Sequence, residues 1–91
     1  MKNGELMTLT IFTTEDCGPC ETVERILRAE GYDLNVIPAN LSRETARILR
    51  DANAKGFPAV FRGMEYLGSG IMAIHKVDPD INIAKYMDDD K

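Results

Sequence analysis

Cys17-Gly18-Pro19-Cys20 is the stretch that decides how this chain is read: it holds the only two cysteines among 91 residues and sets them three positions apart. It stands where an apolar, strand-like run gives way to a helix-like one. A disulfide that closes so short a loop removes little entropy from the unfolded chain and so stabilises little. It can, however, open and close without moving the rest of a fold. In a reducing compartment a lone CxxC is more often catalytic or metal-binding than structural.

On the N-terminal side, Leu6 to Thr13 alternates Leu with Thr and then runs Ile11-Phe12, which suits a buried strand. Thr14, Glu15 and Asp16 form a short polar loop that delivers the chain to Cys17. On the C-terminal side, Pro19 has a preset φ and no N–H to satisfy, which fits the first turn of a helix. Val23, Ile26 and Leu27 recur at helical spacing, with Glu21, Glu24, Arg25, Arg28 and Glu30 on the other side, and Gly31 closes the helix. The positive end of its dipole therefore falls at Cys17.

Further along, Tyr32 to Pro38 alternates as a second strand, with Tyr32, Leu34 and Val36 sharing a face. Asn40 to Ser42 supplies N-cap candidates for a second helix carrying Glu44 in its first turn and Ala46, Ile48, Leu49 and Ala52 beyond; Asn53, Lys55 and Gly56 finish it. Ala59-Val60-Phe61 is a third strand, Arg62-Gly63 a turn, and Met64 to Leu67 a fourth strand, so that the last two form an antiparallel hairpin. Gly68-Ser69-Gly70 breaks the pattern as a turn or as a backbone anion site at a helix start. A third helix then carries Ile71, Ile74 and His75 and stops before Pro79. Asp78-Pro79 caps a last short helix through Ile81, Ala84 and Lys85. Residues 1–5 read as loose, and Asp88-Asp89-Asp90-Lys91 as a disordered, solvated tail.

The order β-α-β-α-β-β-α implies an α/β protein: one four-stranded mixed sheet with helices on both faces, its first two strands parallel and joined by a right-handed crossover. The length suits a single domain over 1–91 with one modest core, filled from 44% hydrophobic residues. Eleven basic residues are scattered among fifteen acidic ones for a net charge of -4, which argues against nucleic acid as a partner. No segment approaches the roughly 20 apolar residues of a membrane helix. The run Leu6 to Phe12 is too short and interrupted for a secretory signal. A cytoplasmic monomer is expected.

These features together resemble the thioredoxin fold, at the size of its glutaredoxin branch. Cys17-Gly18-Pro19-Cys20 carries the four letters of thioredoxins. Lys55-Gly56-Phe57-Pro58-Ala59-Val60-Phe61 resembles the segment around the superfamily's cis-proline. Gly68-Ser69 stands where glutaredoxins usually have a Gly-Gly pair before the last helix. The resemblance covers Thr8 to Val77. It implies a thiol-disulfide oxidoreductase that uses Cys17 and Cys20 on a disulfide-containing protein or small-molecule substrate. Gly18, Pro19, Phe57, Pro58, Gly68 and Ser69 are the implied substrate-binding residues. A cis bond at Pro58 would set that turn opposite Cys17 and leave the Phe57 backbone free to pair with an extended substrate. No bound cofactor is implied; glutathione or a thioredoxin reductase is the implied electron source.

Position and charge refine the roles. Cys17 comes first, at the exposed helix end where negative charge is favoured, and reads as the nucleophile; Cys20, one turn in, resolves the mixed disulfide. Glu15, Asp16 and Glu21 oppose a thiolate and favour a basic docking partner. The chain also departs from its relatives' patterns. Thr14 stands where glutaredoxins often have lysine, and Ile71 and Met72 where acidic or polar residues follow the glycine pair. Ile11 and Asp16 replace the buried aspartate and the tryptophan of thioredoxins. A hydrogen donor to ribonucleotide reductase fits a short chain of this kind, with a glutathione-dependent glutaredoxin as the second reading.

A different class is a non-catalytic binding module, or a metal or iron-sulfur site on Cys17 and Cys20. A closed zinc site needs four ligands, and the chain adds only the distant His75 and carboxylates; Pro19 hinders a bridging cluster. His75 reads as a helix residue without a catalytic role, Met64, Met72 and Met87 as core or rim packing, and Tyr66 as sheet packing.

Overall fold

Strand β1 (Thr8–Thr13) lies inside a four-stranded sheet of order β2-β1-β3-β4, formed with β2 (Asp33–Pro38), β3 (Ala59–Arg62) and β4 (Glu65–Ser69). The computed structural model describes residues 7–87. β1 pairs parallel with β2, Leu9 against Leu34, and antiparallel with β3, Thr10 against Phe61. β3 and β4 are the expected antiparallel hairpin. Its two-residue loop is Gly63-Met64, and Gly63 sits at φ +62, where a side chain would be strained. Helices α1 (Gly18–Ala29), α2 (Arg43–Asp51), α3 (Ala73–Val77) and α4 (Ile83–Met87) complete the chain order.

Strand alternation divides the sheet into two unequal faces. On the first, Leu9, Ile11 and Val60 meet Val23, Ile26 and Leu27 of α1, Ala73, Ile74 and Val77 of α3, and Ile81. On the second, the buried set is Phe12, Ala59 and Phe61, with Ile37, Leu49, Ala52, Ala54 and Tyr66 packed around it. Phe12 and Phe61 meet edge to face with centroids 5.4 Å apart, and Tyr66 lies 5.3 Å from Phe61. The mixed sheet with helices on both faces is thus the thioredoxin fold expected from the sequence.

Caps locate the helix ends. Ser42, within the expected N-cap run, accepts the Thr45 N–H at 3.2 Å. Glu30 caps the end of α1, and Gly31 follows in the left-handed region at φ +98.

Several expectations need correction. Val36 is 38% exposed although it alternates with Leu34, because β2 is an edge strand. Ile48 is exposed too: α2 buries only Thr45 fully and half-buries Leu49. β4 does not stop at Leu67 but runs through Gly68 and Ser69, which pair with Val60 and Ala59 past a bulge at Val60/Phe61. Met64 is 97% exposed at the hairpin tip and Met72 is exposed as well, so neither is core packing. The last helix begins at Ile83, because the Asp78 carboxylate accepts the Asp80 N–H in a tight turn instead of capping a helix there. The expectations for residues 1–5, Leu6 and 88–91 lie outside the described residues.

Candidate active site

β1 ends at Thr13, and the chain turns through Asp16 at φ +54, a conformation aspartate tolerates better than most side chains. That turn delivers Cys17 in extended conformation as the N-cap of α1. Gly18 and Pro19 begin the helix, where proline loses no hydrogen bond. Cys17 and Cys20 are joined as a disulfide with Cα atoms 5.2 Å apart. The Cys20 N–H donates to Cys17 Sγ at 3.1 Å.

The two sulfurs have unequal surroundings. Cys20 is 3% exposed and belongs to the buried face of α1, whereas Cys17 is half-buried and Gly18 and Pro19 are exposed. An incoming group therefore meets Cys17. When the bond is reduced, negative charge on Cys17 Sγ sits at the dipole end of a twelve-residue helix, beside the N–H of Cys20.

The other wall comes from the segment before β3. The Phe57-Pro58 peptide is cis, and the Pro58 side chain is fully buried. The register pairs Phe12 with Ala59, so one further step sets Pro58 level with Thr13, at the end of β1 that leads into Cys17. Sequence and register thus bring the cis-proline and the disulfide to the same end of the sheet. Phe57 is 37% exposed, and among the described residues neither its N–H nor its carbonyl is hydrogen-bonded.

The residues around Phe57 are tied down. Pro58 O accepts the Gly70 N–H at 2.9 Å. The Gly56 N–H donates to Ser69 Oγ at 3.3 Å and the Lys55 N–H to Tyr66 Oη at 3.1 Å, while the two hydroxyls are 2.6 Å apart. The anion-site reading of Gly68-Ser69-Gly70 fails on this geometry, since the Gly70 N–H is taken and α3 begins only at Ala73. Gly68, at φ +147, would carry a Cβ 3.6 Å from Ala73, which marks a close approach of β4 to α3. Tyr66 does pack in the sheet as expected, but its hydroxyl link to Ser69 was not foreseen. No pattern of hydrophobicity or spacing announces a bond between two side chains and an adjacent loop.

At the C-terminal ends of β1 and β2, Thr13, Thr14, Glu15, Pro38, Ala39 and Asn40 line an open groove of about 670 Å³. Its one charged lining residue is Glu15. Glu15, Asp16 and Glu21 are exposed, and the one ion pair among the described residues joins Arg50 and Asp51 at 3.8 Å, far along the chain. His75 is exposed on α3. Among the described residues no three His, Cys, Asp or Glu side chains are grouped to hold a metal ion, and no helix is long and apolar enough to cross a membrane.

Comparison with known proteins agrees with this architecture. The thioredoxin-like protein BC3987 superposes with a TM-score of 0.63 at 20% identity, over 76% of this chain and 97% of its own. The holo form of glutaredoxin C1 from Populus tremula x tremuloides superposes with a TM-score of 0.63 at 17% identity, over 96% of this chain and 94% of its own. The glutaredoxin-like protein NrdH of Escherichia coli (strain K12) is 32% identical over 57 residues, which is 63% of this chain and 70% of that protein. The glutaredoxin family model matches residues 9–67, a span that contains both the Cys17-Cys20 pair and the cis Phe57-Pro58 bond. The chain belongs to the glutaredoxin family and is a thiol-disulfide oxidoreductase.

Proposed function

We propose that this protein is a dithiol reductant of protein disulfides that draws its electrons from a thioredoxin reductase rather than from glutathione. The observation that carries the reading is the unpaired Phe57 backbone beside a buried cis-proline, at the same end of the sheet as the half-buried Cys17. An extended substrate segment pairs with Phe57 by backbone hydrogen bonds. Its disulfide is thereby brought to Cys17, with the exposed Gly18, Pro19 and Phe57 forming the contact surface.

The Cys17 thiolate attacks one substrate sulfur. A Cys17–substrate disulfide forms, the substrate S–S bond breaks, and the other substrate sulfur leaves as a thiolate. Cys20, as thiolate, then attacks Cys17 Sγ and expels the remaining substrate sulfur. Two electrons pass to the substrate, and the protein is left as the Cys17–Cys20 disulfide.

The groove at the C-terminal ends of β1 and β2, next along the chain from Cys17, supports the choice of electron source. It offers Thr14 and the Glu15 carboxylate, with no cation to meet the carboxylates of glutathione. The exposed Glu15, Asp16 and Glu21 suit a partner with a basic rim. A cytoplasmic ribonucleotide reductase disulfide is one acceptor of this class. Turnover of the oxidised protein with NADPH and thioredoxin reductase should exceed turnover with glutathione and its reductase by at least about tenfold, the equivalent of about 1.4 kcal/mol. Equal or faster turnover with glutathione would establish the glutathione-dependent reading instead.

A further inference from the structure

We propose that Tyr66 and Ser69 are positioning residues for the substrate strand: their two hydroxyls hold the backbone of Lys55 and Gly56 so that Phe57 is presented ready to pair. The inference rests on the strand-pairing reading above and adds the device that makes the pairing edge rigid.

The geometry is specific. Lys55 and Gly56 are consecutive and lead directly into Phe57, and each gives its N–H to a different hydroxyl across the start of β3, at 3.1 and 3.3 Å. Each hydroxyl oxygen thus accepts one backbone hydrogen. The 2.6 Å contact between them uses the hydrogen of one hydroxyl as donor and the second lone pair of the other. Tyr66 is itself fixed by its ring against Phe61, and both residues belong to β4. The loop is therefore referenced to the sheet through two polar side chains, on the face whose buried cluster among the described residues is Phe12, Ala59 and Phe61.

What this arrangement changes is the cost of binding. A segment that must be ordered when substrate arrives weakens binding by the entropy lost, whereas one already held does not. Lys55 is exposed and Gly56 half-buried, so these bonds lie outside the packed core. The effect should fall on substrates that pair along the backbone and spare those too small to do so.

The test compares an extended peptide disulfide with hydroxyethyl disulfide, a small symmetrical disulfide, for the full-length protein and its variants. Tyr66→Phe keeps the ring and deletes the hydroxyl. It should raise KM for the peptide about three- to tenfold at unchanged kcat, the range of an ordering cost of that kind, and leave turnover of hydroxyethyl disulfide unchanged. Ser69→Ala should reproduce the rise in peptide KM, and Ser69→Thr, which restores a hydroxyl, should reverse it. Amide hydrogen exchange should accelerate at Lys55 in Tyr66→Phe and at Gly56 in Ser69→Ala, with β1 and β3 amides unaltered. A wild type that prefers the peptide while Tyr66→Phe and Ser69→Ala keep its KM would overturn the brace. A fall in turnover of both substrates together would also overturn it, as general disruption. A wild type with no preference for the peptide would instead overturn the strand-pairing reading, and with it the role assigned here.

Discussion

On one face of the sheet ten buried residues from β1, β3, α1, α3 and the segment after α3 interlock, and Cys20 is anchored among the buried residues of α1. On the other face the buried set among the described residues is Phe12, Ala59 and Phe61, covered by a short helix whose one buried residue is Thr45. The two cleft walls inherit this inequality. The cysteine wall stands on apolar packing, while the cis-proline wall combines a buried ring with hydrogen bonds donated to Tyr66 and Ser69 and accepted from Gly70. Apolar packing is non-directional and large in sum, whereas hydrogen bonds contribute less but fix direction. The helix end that carries a reacting sulfur and the loop that aligns a substrate strand are thus secured by different means.

The largest expected effect sets the two faces directly against each other. Ile26→Ala removes a fully buried side chain and should cost about 2–5 kcal/mol, while Leu49→Ala, half-exposed on the thin face, should cost about 1 kcal/mol. Urea midpoints at constant m-value measure both. Equal losses would show that the faces do not differ in the way described. Next in size is the helix that covers the thin face: Ser42→Ala deletes the cap of α2 and should lower stability by about 1 kcal/mol without altering exchange at Cys17.

The smallest effect belongs to the far end of the thick face, where the Tyr86 hydroxyl donates to the Glu30 carboxylate. That hydrogen bond, then burial and the negative charge of Glu30, raises the Tyr86 pKa above its ordinary value of 10.0. Neutral tyrosine is the form the fold favours, so this stabilisation is complete below pH 10 and is lost as pH climbs through the raised folded value. Tyr86→Phe should remove that part of the alkaline decline in melting temperature. An identical decline in both proteins would show that the bond does not form in solution. Tyr32, raised by burial and then by Asp78, titrates in the same direction and remains in both proteins as an internal reference.

Much of this structure could be read from the residues. The alternation through Leu9 and Ile11, the helical spacing of Val23, Ile26 and Leu27, and Pro19 beside the cysteines each reflect a local rule, and each element formed where that rule places it. The flanks of Pro58 carried the cis bond by resemblance. What was not legible depended on neighbours. Val36 and Ile48 obey their periodicities yet lie open, since an edge strand and a short helix leave them uncovered. Gly68 and Ser69 look like a break but are strand, because β3 supplies partners and a bulge absorbs the offset. The hydroxyls of Tyr66 and Ser69 meet backbone 11 and 13 residues away along the chain, a pairing no local rule announces.

The most direct test of the account is to trap the exchange halfway. Cys20→Ser, reduced and mixed with an extended peptide disulfide, should accumulate a covalent adduct that mass spectrometry of the digested protein places on Cys17 and that dithiothreitol releases. Cys17→Ser should form little or none, because Cys20 is 3% exposed. An adduct of equal yield on Cys20 in Cys17→Ser, or none in Cys20→Ser, would contradict the assignment of Cys17 as the attacking sulfur.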